Sequence, residues 1–145
     1  MGNKVNFNDL IVGYELPVTV KKPIDRATLA LFAGASGDHN PIHIDSDVAQ
    51  AAGMDDVFAQ GMLSMAYLAQ CLTGAVSQSV LRSYSARFGA ITHLRDEISC
   101  RARVCERREE AGVELIRLEL TATNQNDEVK LQGEAVLAIS QKEMQ

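Results

Sequence analysis

The chain of 145 residues contains no tryptophan, three prolines and three cysteines, and its uncharged stretches are never continuously apolar. Each scarcity excludes something. Cys71, Cys100 and Cys105 are an odd number with no Cys-x-x-Cys pair, which argues against a disulfide framework or a zinc ribbon and fits a reducing compartment. The longest uncharged run, Val57 to Leu81, is broken by Gln60, Ser64, Gln70, Thr73, Ser77 and Gln78, so no window supplies the ~18 apolar residues of a membrane span. Positive charge is in deficit. Lys and Arg total 14 against 19 Asp and Glu, a formal net charge of −5, so the broad basic field of a generic nucleic-acid binder is missing. The first residues, including Asn3, Lys4, Asn6, Asn8 and Asp9, form no basic cap ahead of an apolar run; no secretory signal is read, and a cytoplasmic protein is expected. The glycines form neither a GxGxxG nor a GxxxxGK arrangement, which leaves a nicotinamide or P-loop nucleotide site without support.

What is present suits one domain spanning 1–145, since 46% of positions are hydrophobic and 23% charged in a chain too short for two independent cores. A short strand is expected from Leu16 to Val20, with Pro17 near its start and Pro23 beyond its end. Asp25 then caps a helix in which Leu29, Phe32 and Ala33 recur at helical spacing, and which Gly34 or Gly37 ends. A second short helix follows Asp45 and stops at Gly53. From Gly61 to about Val76, apolar residues occupy every face, as in a helix enclosed by other elements. Four alternating segments can enclose it: Val80–Ile91, Ile98–Val104, Val113–Thr123 and Val129–Ile139. In the third, Ile116, Leu118, Leu120 and Ala122 are expected to face inward; in the fourth, Val129, Leu131, Gly133, Ala135, Leu137 and Ile139 share a face. The polar connections Arg107–Gly112 and Asn124–Glu128 read as hairpin loops between antiparallel neighbours. Helices first and long strands afterward define the α+β class.

The chemistry concentrates in Ser36-Gly37-Asp38-His39-Asn40-Pro41-Ile42-His43. Gly37 permits a tight turn, Asn40 can bond its own nearby backbone, and Pro41 disfavours a helical conformation at Asn40. The bend this creates can bring Asp38 and His43 to one small volume, where a carboxylate and an imidazole can hold a water and pass protons near neutral pH. Taken singly, Asp38 is a turn residue and His43 a packed histidine; the pair within this frame is what marks a site. His39 reads as a solvent-facing turn residue and His93 as a structural one. A second window, Phe58-Ala59-Gln60-Gly61-Met62, puts a glycine at the start of the apolar helix, where free N–H groups can bond a thioester carbonyl and stabilise an enolate-like oxygen. Cys71 and Cys100 read as core. Arg82, Arg87, Arg95, Arg101, Arg103, Arg107 and Arg108 alternate with Asp96, Glu97, Glu106, Glu109 and Glu110, the pattern of solvated strand faces. His39, His43, Asp38 and Asp45 have no recognisable metal-ligand spacing, so no metal is assigned.

The first window resembles the hydratase motif of the MaoC-like dehydratases, the (R)-specific enoyl-CoA hydratases, and the Asp-x-Asn-Pro-aliphatic-His core, short alanine-rich helix, Gly-Met pair and apolar helix follow in family order. The resemblance implies a single hotdog domain, a long central helix wrapped by a curved antiparallel sheet. It implies reversible addition of water to a trans-2-enoyl thioester of coenzyme A or an acyl-carrier protein, with no metal or redox cofactor. Asp38 and His43 take the catalytic positions, the Gly61 amide the oxyanion hole, and Asn40 shapes the loop. It further implies a homodimer or an assembly of dimers, joined through the sheets. Two positions depart from the family pattern: Gln60 stands where a histidine is usual, and the place of a helix serine falls near Ala69, with Ser64 or Gln70 close by. A hotdog thioesterase, or an acyl-thioester-binding partner subunit of a heteromeric dehydratase, are the competing expectations.

Overall fold

The computed structural model describes residues 4–140 and 142–143; residues 1–3, 141 and 144–145 of the span read as one domain lie outside the described residues. The first strand, β1, is Thr19–Val20 alone, shorter than the expected Leu16–Val20. Pro17 has no N–H for the ladder, so the preceding chain touches its neighbour only at intervals, through a Glu15–Arg103 bridge and a bond from the Leu16 N–H to the Ala102 carbonyl at 2.9 Å. Asp25 caps α1 (Arg26–Ser36): its carboxylate accepts bonds from the Thr28 N–H and hydroxyl, both at 2.7 Å. Gly37 ends that helix with a left-handed φ of 76°, which a side chain would strain. Asp45 caps α2 (Ser46–Ala51) in the same manner through the Asp47 N–H. The third helix, α3 (Gly61–Ala75), begins without any side-chain cap.

Four longer strands complete the fold: β2 (Leu81–Phe88), β3 (Ser99–Glu110), β4 (Val113–Thr123) and β5 (Val129–Ser140). They form one antiparallel sheet in the order β1-β3-β4-β5-β2. α3 lies across its concave face, giving the α+β hotdog architecture. From Leu131 onward the inward residues are those the alternation indicates, with Ile116, Leu118, Leu120 and Ala122 of β4 and Leu131, Ala135, Leu137 and Ile139 of β5 buried against Leu68, Cys71 and Leu72 of α3; Val129, expected on the same face, is instead 38% exposed, because the β4–β5 register shifts between Ala122 and Thr123. Fully burying each Leu or Ile side chain contributes about 1.5–3 kcal/mol before conformational entropy is subtracted. Gly133 has no room for a side chain, because a Cβ there would lie 2.4 Å from the Ser85 carbonyl oxygen of β2.

β3 continues to Glu110, so the loop expected over Arg107–Gly112 shrinks to Ala111 and Gly112. A bulge permits this: the register passes from Val104–Leu118 to Glu106–Arg117, leaving Cys105 as the extra residue that bends the strand. Beyond it, Arg107–Glu114 and Arg117–Glu106 ion pairs carry the ladder onward. Arg107 is not simply solvated, since its Nη1 also donates to the Phe7 and Leu10 carbonyls and secures the N-terminal segment. Nor is α3 enclosed on every face. Met62 is 56% exposed, and Met62, Met65, Ala66 and Ala69 line an open cavity, Met65 while also packing against the core.

A smaller core of Ile24, Leu29, Ala49, Val57, Ala59 and Leu63 joins α1 and α2 to the start of α3. Among the described residues, no helix is long and apolar enough to cross a membrane.

The β3–β4 turn is strained at Ala111, whose φ of 52° precedes Gly112 at 77°. A left-handed pair of this kind favours Asn-Gly. Ala111→Asn is expected to stabilise the fold by about 0.5–1 kcal/mol, read as a raised midpoint in urea with an unchanged m-value.

Candidate active site

The segment between α1 and α2 is folded by its own side chains. The Asp38 N–H donates to Ser36 Oγ at 3.2 Å, the Asn40 N–H to Asp38 Oδ1 at 3.3 Å, and the Ile42 N–H to Asn40 Oδ1 at 3.3 Å. Asn40 has φ −57° and ψ 119°, outside the helical region as the following proline demands, and starts a single 3-10 turn over Pro41–His43. The turn directs the His43 ring inward, where only 8% of the residue remains exposed.

One interaction fixes that ring. His43 Nδ1 lies 2.7 Å from the Phe58 carbonyl oxygen, and a carbonyl can only accept, so Nδ1 carries the proton. The Phe58 ring packs edge-on against the imidazole, with centroids 5.0 Å apart and planes at 81°. In the neutral ring, Nε2 is then left with its lone pair, directed toward Asp38 Oδ2 at 3.9 Å. That separation is too long for a direct hydrogen bond. The two acceptors instead bracket a space in which a donor such as water could bond to both.

His43 and Gly61 share a cavity of about 370 Å³ with Phe58, Ser64, Phe88 and Thr92. Asp38 lines a neighbouring, mostly apolar cavity of about 510 Å³ with Phe32, Met62, Met65, Ala69 and Tyr84. Asn40 lines neither, and His39 is exposed. His93 is exposed too, though its backbone forms a bridge with Phe58. Tyr84 donates to the Met65 carbonyl at 2.7 Å, and burial pushes its phenol up to about 12. Gly61 has a second reason to be glycine: a Cβ there would lie 3.1 Å from Cε1 of the Phe88 ring.

Gln60 is fully buried; its Nε2 donates to the Leu29 carbonyl at 3.1 Å and ties α3 to α1. Ser64 faces the His43 cavity and pairs with Thr92 through their hydroxyl oxygens at 2.9 Å. Thr92 and Phe58 were missed as site residues by sequence reasoning. Thr92 comes from a connecting segment without a motif, and Phe58 stands at the edge of the second window with no role read for it; only the chain path brings the two to His43. Lys130 was missed for another reason: strand alternation assigns it to the outer face, yet it is fully buried, with its Nζ donating to the Ile91 carbonyl at 2.7 Å and paired with Glu128 and, at 3.2 Å, Asp96. An apolar strand carrying one lysine between Val129 and Leu131 was the available signal.

Residues 11–126 match the MaoC like domain family, and the chain belongs to that family of MaoC-like dehydratases, which are hydro-lyases. It is 31% identical over 146 aligned positions to the 3-hydroxybutyryl-CoA dehydratase of Methylorubrum extorquens, covering 94% of this chain and 85% of that protein. It is also 32% identical over 123 positions to the fatty acid synthase subunit beta of Aspergillus oryzae, where the match covers 81% of this chain but only 6% of that much longer protein. The R-hydratase PhaJ1 from Pseudomonas aeruginosa, in its unliganded form, superposes with a TM-score of 0.82 at 26% identity, over 95% of this chain and 88% of that one.

Asp96 offers a test of how the wall of this site is held. Burial raises its pKa, but the His93 N–H, the Lys130 ammonium and the Asn124 amide bond the carboxylate and together hold it below the usual value of 3.8. A depressed folded-state pKa means that this contribution is fully present above the unfolded value and is lost as the pH falls through the folded one. Urea unfolding between pH 2 and 6, about the range set by the usual carboxylate pKa, should therefore show an acid-labile contribution that Asp96→Asn removes. An identical acid limb in the variant would contradict it.

Proposed function

We propose that this protein catalyses the reversible, (R)-specific hydration of trans-2-enoyl thioesters to (R)-3-hydroxyacyl thioesters, with coenzyme A or an acyl-carrier protein as the thiol. The observation that carries the reading is the His43 and Asp38 pair, with Nε2 and Oδ2 separated by 3.9 Å and the other ring nitrogen occupied by the Phe58 carbonyl. A water between them donates one hydrogen to each acceptor and turns a lone pair outward, toward C3 of the enoyl group. As the C3–O bond forms, the C2=C3 electrons move toward the thioester carbonyl and its oxygen becomes negative. The Gly61 N–H, at the uncapped start of α3, stabilises that oxygen. The proton taken from water resides on the Asp38 and His43 pair, which returns a proton to C2 and completes the addition. Asn40 acts by holding the turn that brings the two together.

The apolar cavity beside Asp38, lined by Phe32, Met62, Met65, Ala69 and Tyr84, suits the alkyl tail. A homodimer fits the same reading. β2 forms one border of the sheet, its ladder made with β5 on one side, and pairing with the β2 strand of a second copy would cover the other. We take 1–145 as one domain acting in the cytoplasm.

The test follows loss of enoyl-thioester absorbance with purified wild type, Asp38→Asn and His43→Ala. Both variants are expected to keep the native circular dichroism and oligomeric state while losing about 10²–10⁴-fold in kcat. A wild-type rate in either variant removes that residue from the mechanism. Release of free thiol from a saturated acyl-CoA, without hydration, would point instead to a thioesterase; activity only on adding a second, non-identical hotdog chain would point to a partner subunit.

A further inference from the structure

We infer that Lys130 is a positioning residue for His43, acting through the segment from Gly89 to His93. This rests on the catalytic role proposed for His43, but the physical coupling can be tested apart from activity.

Lys130 is fully buried in β5, yet it carries an ammonium. The group has three acceptors: the Ile91 carbonyl at 2.7 Å, Asp96 Oδ2 at 3.2 Å and Glu128 Oε2. Its own carbonyl accepts from the Gly89 N–H at 2.8 Å and from the Ala90 N–H at 3.5 Å. Asp96, held by the ammonium, accepts from the His93 N–H at 2.9 Å. Residues 89, 90, 91 and 93 are thus all fastened to one lysine or to its counter-ion. Thr92 stands between these anchors, and its polar atoms go the other way. Its carbonyl accepts from the Ala59 N–H at 2.8 Å, and its hydroxyl pairs with Ser64 of α3. The Phe58–His93 bridge continues the same contact, and the Phe58 carbonyl is the group that holds His43 Nδ1.

The linkage therefore runs from the Lys130 ammonium through Ile91, Thr92 and Ala59 to the carbonyl that sets the tautomer and angle of the imidazole. An apolar residue at 130 would leave the Ile91 carbonyl and the Asp96 carboxylate without their cation. The Thr92 register against Phe58-Ala59 would loosen, and His43 would lose its fixed Nδ1–H orientation.

The experiment uses Lys130→Met and the double variant Lys130→Met/Asp96→Asn, each compared with wild type as folded full-length protein. The double variant keeps a polar partner for the His93 N–H and leaves no buried carboxylate uncompensated, so it carries the test if the single variant does not fold. The first readout is the ¹⁵N spectrum of the neutral His43 ring. Wild type is expected to give one Nδ1–H tautomer, and the variants a mixture with Nε2–H. The second is turnover of a trans-2-enoyl-CoA well below the unfolding temperature, where the loss should fall on kcat more than on KM, by about tenfold or more. A folded variant that keeps the single Nδ1–H tautomer and the wild-type kcat overturns the inference. A mixed-tautomer spectrum with hydration absent in wild type as well sustains the positioning and removes the hydration reading instead.

Discussion

The bond from His43 Nδ1 to the Phe58 carbonyl, 2.7 Å long and shielded from solvent, is the constraint on which the site depends. A carbonyl acceptor decides which ring nitrogen holds the proton, and so which one faces Asp38. Without it, the imidazole could present an N–H where the chemistry requires a lone pair. The bond adds direction to a contact between two parts of the chain that a small apolar core already packs together: the self-bonded turn at Asp38–His43 and the extended segment entering α3.

Holding those parts in register is the work of two cores and one polar network. The large core seats α3 in the sheet, and the small one, around Leu29, Ala49, Val57 and Leu63, seats the turn-bearing segment on the start of α3. Apolar contacts of this kind set distance but tolerate small slides. Hydrogen bonds supply direction, and they occur where slides would matter: Gln60 to Leu29 between two helices, Ser64 to Thr92 between helix and loop, and Lys130 to Ile91 between sheet and loop. Gln60 is an instance: it is fully buried and uses its amide to fasten α1, a structural tie beside Gly61.

Local chemistry was legible in the sequence wherever a residue acts on its near neighbours. Asp25 as a cap, a glycine stop for α1 at Gly34 or Gly37 and the inward stripe of β4 all follow from rules that span a few positions, as does the non-helical backbone of Asn40 before Pro41. The Asp38–His43 approach was legible as a possibility because a short bend can bring the two together. What escaped was the product of long-range geometry. Thr92 and Phe58 reach His43 only because the sheet and α3 bring distant segments together. Lys130 breaks its strand's alternation beside the β4–β5 irregularity at Ala122/Thr123, and Cys105 is an ordinary strand residue until the pairing makes it a bulge. The overlong hairpin loop read at Arg107–Gly112 has the same origin, since charged side chains that suggest a loop can equally pair across a ladder.

In the proposed reaction one oriented imidazole and one carboxylate deliver water to a single face of an enoyl thioester, and chiral analysis of the product formed from crotonyl-CoA is the sharpest test. A 3-hydroxybutyryl thioester of essentially one configuration, (R), with the thioester intact, is expected. An (S) or racemic alcohol, or free coenzyme A in place of the alcohol, would contradict it.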